Sequence, residues 1–253
     1  MKEEIPIHEM PIVYRVPGMD AVRVQSHFIR KQPEDTELIL DQYLPSGRAA
    51  SAPAPGVLLV HGGPLHPDSR PLPKDWRAFA SYGRLLAASG LTGLMFNHRY
   101  YGKKGEQQAG EDIEAVFAYI HTQAGKMGLD ADRLGVWVFS GAGKLLPGIL
   151  RRQESIKSLV LYYALLEFNR EDALWPSVFK KIPLGVARAG LDRAKINKNL
   201  DELAKRARAA QVSLELWQHA AGHHGFDILD DDEQSREIIA QTIAFLRRHT
   251  CKG

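Results

Sequence analysis

Two short runs near the start of the chain, Val22–Ile29 and Glu37–Tyr43, alternate apolar and polar residues. That is the period of strands with one wet face, and both are predicted as antiparallel edge strands. From residue 56 the pattern changes to continuous apolar runs: "GVLLVHGG" (56–63), "GLTGLMFNHR" (90–99), "RLGVWVFS" (133–140), "SLVLYYALL" (158–166), "PLGVARAG" (183–190) and "SLELWQHA" (213–220). Between them apolar residues recur at helical spacing, as in Ile113, Val116, Phe117 and Ile120, or Ile196, Leu200, Leu203 and Ala207, or Ile239, Ile243 and Leu246. Strands apolar on both faces, separated by helices, predict an α/β fold: a mostly parallel, twisted sheet with helices on both faces and right-handed crossovers, extended by the antiparallel N-terminal edge strands. No period of about 20 to 50 residues repeats, which excludes solenoids and propellers. The Pro/Ala/Ser stretch "PSGRAASAPAP" (45–55) is too short for a domain linker, so residues 1–253 read as one domain without a large separate lid.

In such sheets function collects at the C-terminal ends of the strands, and four of these ends carry chemistry. The first is "GVWVFSGAGKLL" (135–146), where a strand stops at Ser140 and runs into Gly141, Ala142 and Gly143. A serine on a tight strand-to-helix turn holds its Oγ clear of the backbone, and the turn demands small neighbours. The glycine-rich helix start also offers N–H groups to developing negative charge. Measured against G-x-S-x-G, Ala142 is a mild departure and Val138 a real one. The bland alternative is that Ser140 only caps a helix. Pro147 predicts a break or kink less than two turns later, and Lys144 is expected to point to solvent.

A hydroxyl becomes a nucleophile only with a base, and the base needs an orienting acid. "QHAAGHHGFDILDDD" (218–232) follows the last strand and supplies His224, with His223 as the understudy. Asp192 follows the strand ending in "ARAG", with Glu167 after "YYALL" as the alternative acid and an ordinary helix N-cap as the bland reading of Asp192. "HGGP" (61–64) ends the first parallel strand, and because Pro64 lacks an N–H, Gly63 is the expected oxyanion donor, with Gly141 as the second. The order Ser140, Asp192, His224 is that of α/β-hydrolases rather than of chymotrypsin-like or subtilisin-like proteases.

From about Gly56 onward the chain resembles the α/β-hydrolase superfamily and, within it, the dienelactone hydrolase-like branch. The resemblance rests on "LLVHGGP", "FNHRYYG", "GVWVFSGAG", "ARAGLD" and "GHHGFDILDDD". It implies a nucleophile at Ser140, an acid at Asp192 after the seventh strand, a histidine in an H-G-F context at His224, and the oxyanion pair Gly63 and Gly141.

The expected activity is hydrolysis of carboxylic ester, lactone or thioester bonds, with no metal or organic cofactor. Trp76, Tyr100 and Tyr101 are candidate apolar walls for a small-molecule substrate. The short irregular stretch from residue 167 to 182 predicts a small, fairly open pocket. A non-catalytic ligand-binding or regulatory protein on the same scaffold is the alternative, to which a degenerate elbow would be suited. A metal site built from His61, His66, His219, His223 and His224 is a weaker one, since no helical H-E-x-x-H is present.

Bulk properties narrow the partners. Thirty-three basic and 30 acidic residues leave a formal charge of +3, too small and dispersed to call for nucleic acid or a membrane surface. The basic run from Lys195 to Arg208 reads as the solvated face of a helix. The single cysteine, Cys251, excludes an internal disulfide and a cysteine-based metal cluster. No run approaches the roughly 20 apolar residues of a membrane span, and the N-terminus lacks a signal-like apolar core. A cytoplasmic protein is expected, and its exposed edge strands are candidates for a homodimer contact.

Overall fold

Eight strands form one sheet in the order β1-β2-β4-β3-β5-β6-β7-β8. In chain order they are β1 (Arg23–Lys31), β2 (Glu37–Leu44), β3 (Ala54–Val60), β4 (Thr92–Phe96), β5 (Leu129–Phe139), β6 (Ile156–Tyr162), β7 (Leu184–Ala189) and β8 (Leu214–His219). β1 pairs with β2 and β2 with β4 antiparallel, and every other pairing is parallel. This is the α/β-hydrolase fold. The computed structural model describes residues 5–31, 37–45, 53–102, 105–152, 154–167 and 181–251. Most of the Pro/Ala/Ser stretch (46–52) and most of the irregular stretch after Glu167 (168–180) lie outside the described residues.

The alternation of side chains across a strand sorts the apolar residues into two layers. Leu134, Val136 and Val138 of β5 face one side with Leu58 and Val60 of β3. That side is covered by α2 (Gly105–Met127) through Ile113, Val116 and Ile120, and by α4 (Ala194–Ala209) through Ile196 and Leu200. Trp137 and Phe139 face the other side with Val57 and Leu59. There they meet α1 (Arg77–Ala88) through Phe79 and Tyr82, and α6 (Glu233–Thr250) through Ile239, Phe245 and Leu246. Most of these side chains are fully buried, and each contributes roughly 1.5–3 kcal/mol. Between α2 and α4 lies the short α3 (Leu146–Leu150), and before α6 the single turn α5 (Phe226–Leu229).

The parallel strands put their C-terminal ends on one edge. β3 and β5 lie side by side at the middle of the sheet, while β4 lies on the far side of β3 and β6 on the far side of β5. That makes the β3/β5 boundary a topological switch point, the place where sheets of this kind bind their ligands. β7 and β8 are neighbours at the far edge.

Candidate active site

At the end of β5 the chain turns sharply at Ser140, whose φ is +50°. This left-handed conformation is uncommon for a residue with a Cβ, and it concentrates at sites where the surrounding structure over-determines it. A 3₁₀ turn (Ser140–Leu145) follows, and then α3, with Pro147 in its first turn, where a missing N–H leaves no bond unmade. The break predicted at Pro147 is thus a change from a 3₁₀ turn to a short α-helix.

The small residues after Ser140 answer to close backbone approach. A Cβ on Gly141 would lie 1.6 Å from the Gly63 carbonyl oxygen, and one on Gly143 would lie 2.6 Å from that of Leu165. Ala142 is fully buried. Val138 fits because its side chain belongs to the core below the turn, in register with Val60 of β3 and Leu161 of β6, with all three fully buried.

Three residues distant in sequence then meet. Ser140 Oγ lies 2.7 Å from His224 Nε2, and His224 Nδ1 lies 2.7 Å from Asp192 Oδ2. A carboxylate only accepts, so the imidazole proton sits on Nδ1 and leaves Nε2 as an acceptor for the serine hydroxyl. The Asp192 side chain is 1% exposed and that of His224 33%; the carboxylate is sealed while the imidazole reaches solvent. Asp192 Oδ1 accepts from the Arg193 N–H at 2.6 Å.

Two loop-to-loop bonds hold the Asp192 turn against the histidine loop, Gly190 N–H to His219 O (2.8 Å) and Leu191 N–H to Gly222 O (2.9 Å). His223 folds back on Asp230, which accepts from its N–H at 2.7 Å and meets its Nδ1 at 2.8 Å. It bonds locally and braces the loop that carries His224.

The loop after β3 abuts the elbow. The Cβ position of Gly62 is 3.0 Å from Ser140 Cβ and 3.5 Å from its Oγ, so Gly62, which sequence reasoning passed over, leaves the room the Ser140 turn needs. Gly63 presents its Cβ position to the Tyr100 ring and its carbonyl to Gly141. Behind this loop His61 and His98 stack, ring centroids 3.7 Å apart. His61 Nδ1–H donates to Gly62 O (2.7 Å), and its Nε2 accepts from the His98 N–H (3.3 Å). His98 Nε2–H donates to His61 O (2.9 Å). Burial pushes both imidazoles down, His61 well below its ordinary 6.5, with His98 beside it adding to the shift, and His98 to about 4.

Several expectations are corrected. Lys144 does not point to solvent: its Nζ pairs with Glu167 at 2.7 Å and Glu106 at 3.4 Å, and the side chain is 21% exposed. The same contact removes Glu167 as the acid. Tyr100 cannot wall a pocket, because it is buried against Gly63 with its hydroxyl donating to Glu106 at 3.0 Å. Trp76 is half-buried beside Phe79, its indole N–H donating to Pro71 O, and Tyr101 is half-buried in a short parallel pairing with Leu65. Of the histidines considered for a metal, His219 meets Asp232 and His66 meets Asp68. Among the described residues no group of three or more His, Cys, Asp or Glu could hold a metal ion. Among them, too, no helix is long and apolar enough to cross a membrane.

One group was invisible in the sequence. Asp227, fully buried, accepts from the Tyr82 hydroxyl at 2.6 Å and the Tyr163 hydroxyl at 2.7 Å. The Tyr163 ring lies 4.6 Å from the His224 ring, centroid to centroid. Burial pushes the Asp227 carboxyl up, and the two phenol donors work against that shift. Nothing in "FDILDDD" distinguishes this aspartate from its three acidic neighbours; its partners come from α1 and from the end of β6.

No family model matches the chain, and no curated protein matches it in sequence. Solved structures do. It is similar to a bacterial heroin esterase (18% identity, 92% of this chain and 86% of that one, TM-score 0.73). It is similar as well to EstE1, a thermostable carboxylesterase cloned from a metagenomic library (17%, 96% and 91%, TM-score 0.70). A third similar structure is an esterase from the planctomycete Thermogutta terrifontis (15%, 92% and 94%, TM-score 0.69). At such identities the likeness establishes the fold.

Proposed function

We propose that this chain is a serine hydrolase of carboxylic esters, lactones or thioesters, acting through Ser140, His224 and Asp192. One observation carries the reading: the unbroken hydrogen-bonded line Ser140–His224–Asp192, 2.7 Å at each link, at the C-terminal edge of the sheet.

In this reading His224 Nε2 takes the Ser140 proton as Oγ attacks the acyl carbon. The negative charge that develops on the carbonyl oxygen is met by the N–H groups of Gly141 and Gly63. The tetrahedral intermediate collapses, His224 returns the proton to the leaving alcohol or thiol, and an acyl-enzyme remains on Ser140. Water, deprotonated by the same imidazole, attacks the acyl carbon; the bond from acyl carbon to Ser140 Oγ breaks, His224 returns the proton to Oγ, and the acid leaves. Asp192 keeps the proton on Nδ1 throughout and stabilises the imidazolium that forms twice per turnover.

The solved structures of similar fold named above are esterases, which favours carboxylic esters among acyl donors. The H-G-F context of His224 and the acid after β7 favour the dienelactone hydrolase-like branch. Residues 1–253 act as one hydrolase domain on a small substrate, with Trp76 and Tyr101 flanking the site.

The test is a fluorophosphonate probe together with activated short-chain esters. Covalent labelling at Ser140, lost in Ser140→Ala, is expected. A folded protein that neither labels nor hydrolyses any of the esters would return the chain to the ligand-binding reading.

A further inference from the structure

We propose that Asp227 is a positioning residue for His224: a second, fully buried carboxylate that acts through the Tyr163 ring to hold the imidazole and to favour its protonated form. The role rests on the hydrolase reading.

Hydrogen bonding works in favour of the charged form. Among the described residues the Tyr82 and Tyr163 hydroxyls each have Asp227 as their partner, one on each carboxylate oxygen. A buried phenol must donate somewhere, so both protons point at Asp227 and favour its ionised form against the burial that pushes the carboxyl up. Its main chain is held as well, since the Asp227 carbonyl accepts from the Val13 N–H at 2.9 Å and ties the N-terminal segment to this loop.

Among the described residues no lysine or arginine pairs with it, which is unusual for a buried charge. A cation does arise close by in the proposed reaction, the His224 imidazolium, one tyrosine ring away. Phe226, Tyr162 and Phe139 close the space around that ring, and in such an apolar shell a charge acts over a longer range than in water.

The other groups around this pair are accounted for. Asp192 and Ser140 occupy the two imidazole nitrogens. Arg193 reaches Asp192 Oδ1 at 3.9 Å, His223 is engaged by Asp230, and Tyr162 is bonded to Thr242 at 2.8 Å. Asp192 therefore supplies the direct bond to the base. Asp227 supplies a remote charge and a ring clamped at its far end.

Asp227→Asn keeps the shape, removes the charge and leaves one amide oxygen to accept from the two phenols. The titration midpoint of the His224 imidazole, followed by NMR on histidine-labelled protein, is expected to fall by about one pH unit. The lower limb of the pH profile for probe labelling at Ser140 should move with it, and kcat should fall about fivefold with KM unchanged. A melting temperature that drops while both midpoints stay in place is the signature of a merely structural residue, and it overturns the proposal.

Should Asp227→Asn not fold, His224→Gln decides. Coupling is reciprocal, so removing the imidazolium must raise the midpoint of the Asp227 carboxyl resonance by the same amount, and an unmoved midpoint overturns the proposal. The NMR measurements need no turnover. Shifted midpoints without labelling at Ser140 would remove the hydrolase reading and keep the coupling; labelling with unshifted midpoints would do the reverse.

Discussion

Two histidine sites stand on either side of Ser140, and they solve opposite problems. His61 and His98 lie fully buried beneath the glycine loop, stacked on each other, with backbone carbonyls as the acceptors of their protons. Among the described residues no carboxylate is hydrogen-bonded to either ring, and burial outweighs the pull of the Asp112 carboxylate on His98 and holds both imidazoles down. His224 is one-third exposed, has a sealed carboxylate on one nitrogen and a hydroxyl on the other, and faces a second carboxylate across a tyrosine. The same side chain is a girder in one place and, in the proposed reaction, a proton carrier in the other. The difference lies in what stands ready to receive a positive charge.

The comparison breaks most sharply by substitution at the carrier. His224→Ala is expected to lower ester hydrolysis by about 10⁴–10⁶-fold, and Asp192→Asn by about 10³–10⁴-fold through the wrong imidazole tautomer, with melting temperatures little changed. Steady-state kinetics on an activated ester checks both. Loss of less than tenfold in either variant would remove the distinction between the two sites.

The girder should respond to pH through stability. His98 is held at about 4 in the folded chain, against an ordinary 6.5. Between those values the unfolded chain binds a proton that the folded one refuses. This stability is therefore complete above about pH 6.5 and falls as pH drops toward 4, by up to roughly 3 kcal/mol, with His61 acting in the same direction. Urea unfolding at pH 7, 5.5 and 4.5 measures it, and a flat midpoint would contradict the assignment.

The smallest effect is expected away from both histidine sites, at Lys144. Its partners Glu167 and Glu106 are each 44% exposed, so the pairs are screened by water, and Lys144→Met should change stability by no more than about 1 kcal/mol and leave the pH profile of hydrolysis in place. A large loss of rate would give this lysine a role in the chemistry.

Much of this molecule was legible in its residue pattern. The two alternating runs became β1 and β2, and the continuous apolar runs became the parallel strands, with Ser140, Asp192 and His224 at the ends of β5, β7 and β8. Such features are local: a strand's period, a glycine at its end and the chain order of polar residues are visible within about ten residues. What escaped was decided by partners far along the chain. The Tyr100 side chain is buried against Gly63 because the β3 loop passes over it, and Lys144 turns to Glu167 rather than to water.

Asp227 is the extreme case. Its phenols come from residues 82 and 163, and nothing in its neighbourhood of acidic residues marks it. The sequence by itself determined the sheet and the edge at which chemistry collects, because periodicity and chain order are properties of the chain. Which side chains there hold a charge, and which are only sealed away, was decided in three dimensions, where burial and hydrogen-bond partners set the energy of every ion.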